Sequence, residues 1–150
     1  MERIIDYEII EPTEENIIDL EVLRFNAHGV NVSTIDFHSF HSNAIRDGRY
    51  LVFGSYIAGE LVAACYVSDL HNSLFIEHLF VKESYQESGL RLGRKLLSYI
   101  NLNKRVVEEY FGHELNTSRL EYNSTKSKTL YEKIGYRETN SLLGTMKKAI

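Results

Sequence analysis

The 150-residue sequence has one cysteine, Cys65, which excludes an intrachain disulfide and any zinc site built from several thiolates. That residue sits in the apolar run LVAACYV, a place for a buried structural thiol and not for an exposed nucleophile. Long hydrophobic runs are missing too: nothing is long enough to span a bilayer, and the charged, alternating start MERIIDYEII lacks the apolar stretch of a signal peptide. The expected location is the cytoplasm, with no membrane partner. Basic residues are not in excess, since 17 Lys and Arg stand against 21 Asp and Glu for a formal net charge of −4. This balance, with a pI of about 5.9, excludes the broad basic surface of a nonspecific nucleic-acid binder and gives a weak leaning towards cationic substrates. Internal repeats and low-complexity tracts are absent. So are the Gly-Lys-Ser/Thr ending of a P-loop and the G-x-G-x-x-G dinucleotide fingerprint.

What is present is an ordinary globular composition, 43% hydrophobic and 25% charged, sufficient for one core and read as a single domain over residues 1–150. Ile4 to Ile10 alternates and ends at Glu11-Pro12, which predicts a first strand. Thr13 is placed to cap a helix carrying Ile17, Ile18, Leu20, Leu23 and Phe25 that ends near His28-Gly29. Val30 to Thr34 is ambiguous; Ile35, Phe37, Phe40, Ala44 and Ile45 then suggest a second helix stopping near Asp47-Gly48. His38 and His41 are three apart, close enough to share a helix face, yet no third ligand of clear spacing accompanies them, so no metal is expected. Tyr50 to Ile57 and Glu60 to Asp69 form the strongest hairpin signal, joined by Ala58-Gly59.

The chain is organised around Ser73 to Ile100. Leu74, Phe75, Ile76, Leu79, Phe80 and Val81 are apolar on both faces, as in a strand covered on both sides, with Glu77 and His78 as exceptions. A polar loop follows, and then Leu92, Leu96, Leu97 and Ile100 return at helical spacing. A helix start near Gly89 to Gly93 offers unpaired N–H groups and the positive end of the macrodipole to a phosphate, with Arg91 or Arg94 adding charge. The helix reads as continuing through Val106, Val107, Tyr110 and Phe111 to Gly112. Thr117 to Tyr122 is the next strand, so strand, helix, strand implies a parallel pair inside an otherwise antiparallel sheet. Leu130 and Ile134 belong to a short helix stopped at Gly135, before a closing strand over Arg137 to Met146.

These residues resemble the acetyl-coenzyme A motif of the GNAT superfamily of N-acetyltransferases, R/Q-x-x-G-x-G/A after a strand ending in Val and before a Leu-Leu pair. Counted from the strand, Val81, Tyr85, Gln86 and Gly89 fall in place and Arg91 stands where the family has Gly or Ala. Counted back from Leu96-Leu97, Gly93 takes that position, a difference of two residues that reads as a loop insertion. A second block, Asn123 to Glu138, is similar to the family's N-x-x-A-x-x-L-Y-x-K-x-G-F, with Leu130, Tyr131, Lys133, Gly135 and Tyr136 matching. Ser127 replaces the usual Ala, and Asn123 is one residue early.

The resemblance implies a mixed α/β (α+β) GNAT-like fold, a mostly antiparallel sheet flanked by helices whose central parallel strands splay at the cofactor site. It implies acetyl-CoA as acyl-donor cosubstrate, held by Leu79, Phe80, Val81, Gln86, Ser88, Gly89, Leu90, Arg91, Leu92, Gly93, Arg94 and Asn123. Amides around Phe80 and Val81 would polarise the thioester carbonyl. Transfer also needs a proton for the thiolate and a base for the amine. Tyr131, with an ordinary pKa of about 10, matches the family's general acid, and Glu77 and His78 are the candidate bases. The expected activity is transfer to a primary amine on a small molecule or peptide by direct attack on the thioester. A catalytically silent CoA-binding or regulatory module on the same fold is the alternative, a small dimeric interaction domain a third, and a homodimer stays open.

Overall fold

The computed structural model describes residues 4–29 and 39–150. The elements are β1 (Asp6–Ile10), α1 (Glu14–Ala27), α2 (Phe40–Arg46), β2 (Leu51–Ile57), β3 (Glu60–Ser68), β4 (Leu74–Val81), α3 (Leu92–Leu102), α4 (Lys104–Phe111), β5 (Thr117–Glu121), α5 (Thr125–Lys133), β6 (Arg137–Asn140) and β7 (Thr145–Ala149). The strands form one seven-stranded sheet in the order β1-β2-β3-β4-β5-β7-β6. Only β4 and β5 run parallel, through the α3–α4 crossover; the other pairs are antiparallel.

Local chemistry accounts for most element ends. Thr13 accepts a hydrogen bond from the Asn16 amide at 3.2 Å, and Glu14 and Glu15 sit in the first turn of α1, where the helix dipole favours acids. At the β2–β3 turn Ala58 (φ +50°) and Gly59 (φ +79°) are both left-handed, as a two-residue hairpin with its strands' twist requires. Each face of the sheet carries a core. Phe53, Val62, Ile76, Leu96, Leu97 and Ile100 belong to the core under α3, while Ile17, Leu20, Ile45, Tyr66 and Phe80 belong to the one under α1 and α2. β4 contributes to both, which is why its sequence is apolar on alternate and consecutive positions alike.

Two expectations change and a third is met in part. The helix read as continuous to Gly112 breaks at Asn103, whose backbone (φ −107°, ψ 32°) leaves the helical region while its side-chain amide donates to the Tyr99 carbonyl at 2.8 Å. The closing strand is two strands, with β7 inserted between β5 and β6. The reversal at Gly144 (φ +65°) needs glycine, since a Cβ there would lie 2.8 Å from the Tyr122 carbonyl oxygen. The second helix appears as α2, capped by Ser39, which accepts from the Ser42 amide at 3.2 Å. Val30 to Thr34, Ile35, Phe37 and His38 lie outside the described residues.

Two irregularities open the sheet. Tyr66 pairs with His78 and Val67 with Ile76, so Glu77 is one extra residue in β4, a β-bulge. The parallel pairing spans only Leu74 to Ile76 against Ser118 to Leu120, although β4 continues to Val81. From Glu77 onward β4 therefore has no strand partner on its β5 side.

Candidate active site

The splay opens into a cavity of about 730 Å³ between the end of β4, the start of α3 and α5. Leu79, Phe80 and Val81 form one wall, Arg91, Leu92, Gly93 and Arg94 a second, and residues 124–131 of α5 and its cap a third. Among the described residues its charged lining is cationic, Arg91, Arg94, Lys126 and Lys133, with no carboxylate. In a chain of net charge −4 that concentration of one sign marks an anion site.

The α3 N-terminus supplies the rest of that site. Its N-cap, Arg91, is left-handed (φ +55°, ψ 47°) and makes no side-chain cap. The first amides of the helix thus have no intrahelical acceptor and no capping oxygen. Gly93 packs directly against the strand, its absent Cβ lying 3.4 Å from Val81 Cγ2 and 3.7 Å from Leu79 Cδ2. These are ordinary van der Waals distances, so the helix start lies in contact with β4 at Gly93. Holding Arg91 left-handed costs about 1–2 kcal/mol, a strain placed at the mouth of the cavity.

Not every residue named from the motif lines the cavity. Gln86 does, but its amide is spent on two carbonyls, Val81 at 2.9 Å and Ala27 at 2.8 Å, fastening the loop to the ends of β4 and α1. Ser88 donates to the Tyr85 carbonyl at 2.8 Å and accepts from the Leu90 amide at 3.3 Å, so with Gly89 and Leu90 it shapes the loop outside the lining. Asn123 is also outside it; its side-chain oxygen accepts from the Ser127 hydroxyl at 3.3 Å and steadies the α5 cap. Sequence reading missed Ala27 and His28 at the end of α1, and the Ser124, Thr125, Lys126 and Thr129 wall. The capping box of Ser124 and Ser127, each side chain bonded to the other's amide, was the local signal for the last group.

Tyr131 lies in the lining, and its ring meets Tyr136 edge to face at 6.2 Å. Burial, helped by nearby Cys65 and Tyr136, pushes its pKa up to about 12, so it is protonated at neutral pH. Tyr136 is oriented by Asn101, which donates to its hydroxyl at 2.9 Å, and by Ser118 Oγ at 2.6 Å.

Glu77 and His78 do not line this cavity. The bulge turns both towards the α1–α2 side, where the Glu77 carboxylate accepts from Ser68 Oγ at 3.2 Å and faces Tyr50. Burial raises the Glu77 pKa, while the hydrogen bond from Ser68 and the nearby Tyr50 hydroxyl hold it down. His78 stacks on His41 with ring centres 5.1 Å apart, and both His78 Nε2 and His41 Nδ1 are buried without a hydrogen-bond partner. Burial, then the neighbouring His41, Arg24 and His28, pushes the His78 pKa down to about 4. Among the described residues no group of His, Cys, Asp and Glu is arranged to hold a metal, and no helix is long and apolar enough to cross a membrane.

A consequence for stability follows from His78. Its folded pKa of about 4 lies below the unfolded value of about 6.5, so the unfolded chain binds the extra proton between these pH values and stability falls as pH drops through that window. Denaturant titrations at pH 7.5 and pH 4.5 should show a loss of about 2 kcal/mol that is absent in His78→Gln. An equal loss in that variant would assign the acid sensitivity elsewhere.

A mixed sheet splayed at its one parallel pair, with an uncapped helix start and a cationic cavity in the gap, is the frame of the site. The family profile of the GNAT acetyltransferase domain matches residues 47–138, and the chain belongs to that family. None of the curated proteins matches it in sequence. Solved structures share its fold. The ribosomal-protein-S18-alanine N-acetyltransferase of Escherichia coli is 19% identical, with 98% of this chain and 94% of that one covered and a TM-score of 0.68. The IAA acetyltransferase of Bacillus cereus is 18% identical over 98% and 100%, TM-score 0.63. The PaiA N-acetyltransferase of Thermoplasma acidophilum, solved with coenzyme A, is 16% identical over 97% and 99%, TM-score 0.63.

Proposed function

We propose that this acetyltransferase uses acetyl-CoA to acetylate a primary amine on a small molecule or peptide, by direct attack of the amine on the thioester. The observation that carries this reading is the cavity, cationic among the described residues, that has the α3 N-terminus and Tyr131 on one opening of the sheet. The pyrophosphate fits the free amides of α3 beside Arg91 and Arg94. The acyl arm then follows the unpaired edge of β4 past Leu79, Phe80 and Val81, where the Leu79 and Val81 amides, facing away from β3, suit the thioester oxygen.

In the proposed reaction the amine nitrogen bonds to the acetyl carbon, the carbon–sulfur bond breaks, and the thiolate takes a proton from Tyr131. Glu77 takes the proton that the amine loses, directly or through water. The two candidate bases differ in environment: Glu77 has a raised pKa, whereas His78 is made a weaker base than free imidazole and one of its nitrogens is dry. The elevated carboxylate is the better acceptor.

A silent CoA-binding module is the second reading, supported by Arg91 standing where the motif has Gly or Ala. One screen separates them. With acetyl-CoA at a hundredfold its dissociation constant, stability should rise by about 2.7 kcal/mol, and a panel of primary amines should release free thiol. Binding without thiol release from any amine establishes the module, and neither effect removes both readings.

A further inference from the structure

We propose that Ser68 is the positioning residue of the reaction, holding the Glu77 carboxylate in one orientation at the bulge of β4, with the Tyr50 hydroxyl on the same side. The inference rests on the reading of Glu77 as the base. Three strands bring the groups together. Tyr50 immediately precedes β2, whose Leu51 pairs with Val67; Ser68 follows Val67 and pairs with Phe75; Glu77 is the extra residue just beyond. The bulge is what turns Glu77 to the Tyr50 side.

Ser68 has a fixed hydroxyl. Its oxygen accepts from the Leu70 amide at 3.3 Å, which directs its proton to Glu77 Oε1 at 3.2 Å. Tyr50 is 7% exposed and its ring is set by Tyr66 and His41, each with its ring centre 5.9 Å away. Its hydroxyl is in a surrounding that keeps it protonated, with a pKa of about 12, and so it can only donate to the carboxylate. The remaining charged groups acting on Glu77 are His71 in the β3–β4 turn, which favours its ionised form, and Glu121 at the end of β5, which opposes it. Among the described residues Glu77 is in no ion pair, and the Ser68 hydroxyl, with the protonated Tyr50 hydroxyl nearby, counters the burial of its carboxylate. These hydroxyls keep the base charged and pointed at neutral pH, which a base needs before each turnover.

The test is the pH dependence of single-turnover acetylation in wild type, Tyr50→Phe, Ser68→Ala, Ser68→Thr and Glu77→Gln, with acetyl-CoA affinity measured alongside. Removing one donor to a charged group is expected to move the acid limb up by about one pH unit. Tyr50→Phe and Ser68→Ala should both do so with cofactor affinity unchanged, and Ser68→Thr, which keeps the hydroxyl, should restore the wild-type limb. A ¹³C titration of the Glu77 carboxyl should show the same rise, a signature that lost packing alone does not produce. Acid limbs that stay in place in both variants, with an unmoved carboxyl titration, overturn the proposal. If Glu77→Gln keeps the wild-type profile, the base assignment itself falls and the positioning role falls with it. If Tyr50→Phe does not fold, the serine pair decides.

Discussion

Tyr131→Phe should bind acetyl-CoA with nearly wild-type affinity and lose roughly 10²- to 10⁴-fold in single-turnover acetylation, the usual worth of a positioned proton donor. The substitution keeps the ring, its edge contact with Tyr136 and its place in the wall, and deletes only the hydroxyl. With a pKa of about 12 the hydroxyl is protonated at every pH of interest. A thiol of ordinary pKa, about 8.5, is the stronger acid, so Tyr131 acts by donating as negative charge builds on sulfur and regains its proton afterwards. The hydroxyl is accordingly needed when the carbon–sulfur bond breaks and hardly at all when cofactor binds. Single-turnover conditions matter because slow product release would mask the chemical step. A wild-type rate in the Phe variant would remove Tyr131 from the mechanism. A rate loss matched by weakened binding would make it a binding residue.

Gly93→Glu should abolish the acetyl-CoA-dependent melting shift altogether. The Cβ it adds meets Val81 Cγ2 in ordinary contact at 3.4 Å, and the longer charged side chain beyond it must occupy the opening. There it brings a negative charge into a wall formed by Arg91 and Arg94, neutralising the attraction for phosphate and filling its place at the α3 amides. Gly93→Ala is the control: a contact of 3.4 Å is ordinary, and its binding should stay close to wild type. Calorimetry with both variants checks the site, and undiminished binding by Gly93→Glu would locate the pyrophosphate elsewhere.

Much of the site was legible because its signals are local. The two-faced apolarity of β4, the helical spacing of Leu92, Leu96, Leu97 and Ile100, the glycines between them and the Leu130-Tyr131 block each lie within one or two elements. Periodicity and capping chemistry report such elements directly. The same locality explains the hairpin at Ala58-Gly59 and the caps at Thr13 and Ser39. Where reading by pattern failed, a local pattern was overridden by a neighbour. Val106 and Val107 continue a helical spacing past Asn103, yet the chain bends there because its side chain bonds to the Tyr99 carbonyl. The run from Arg137 to Met146 reads as one closing strand, yet Gly144 reverses it against Tyr122.

The sequence by itself determined which strand, loop and helix build the anion site, and supplied Tyr131 with the right short-range surroundings, because backbone periodicity and glycine placement are properties of consecutive residues. Only the tertiary structure decided that Glu77 is a bulge, that β4 parts from β5 after Ile76, and that Ser68 reaches the Glu77 carboxylate. Cross-strand register couples residues far apart in the chain, and a one-residue offset changes the face to which a side chain points. Composition likewise concealed the site's charge: a chain of net −4 gathers Arg91, Arg94, Lys126 and Lys133 around one cavity, since potential depends on where charges are folded and not on their sum.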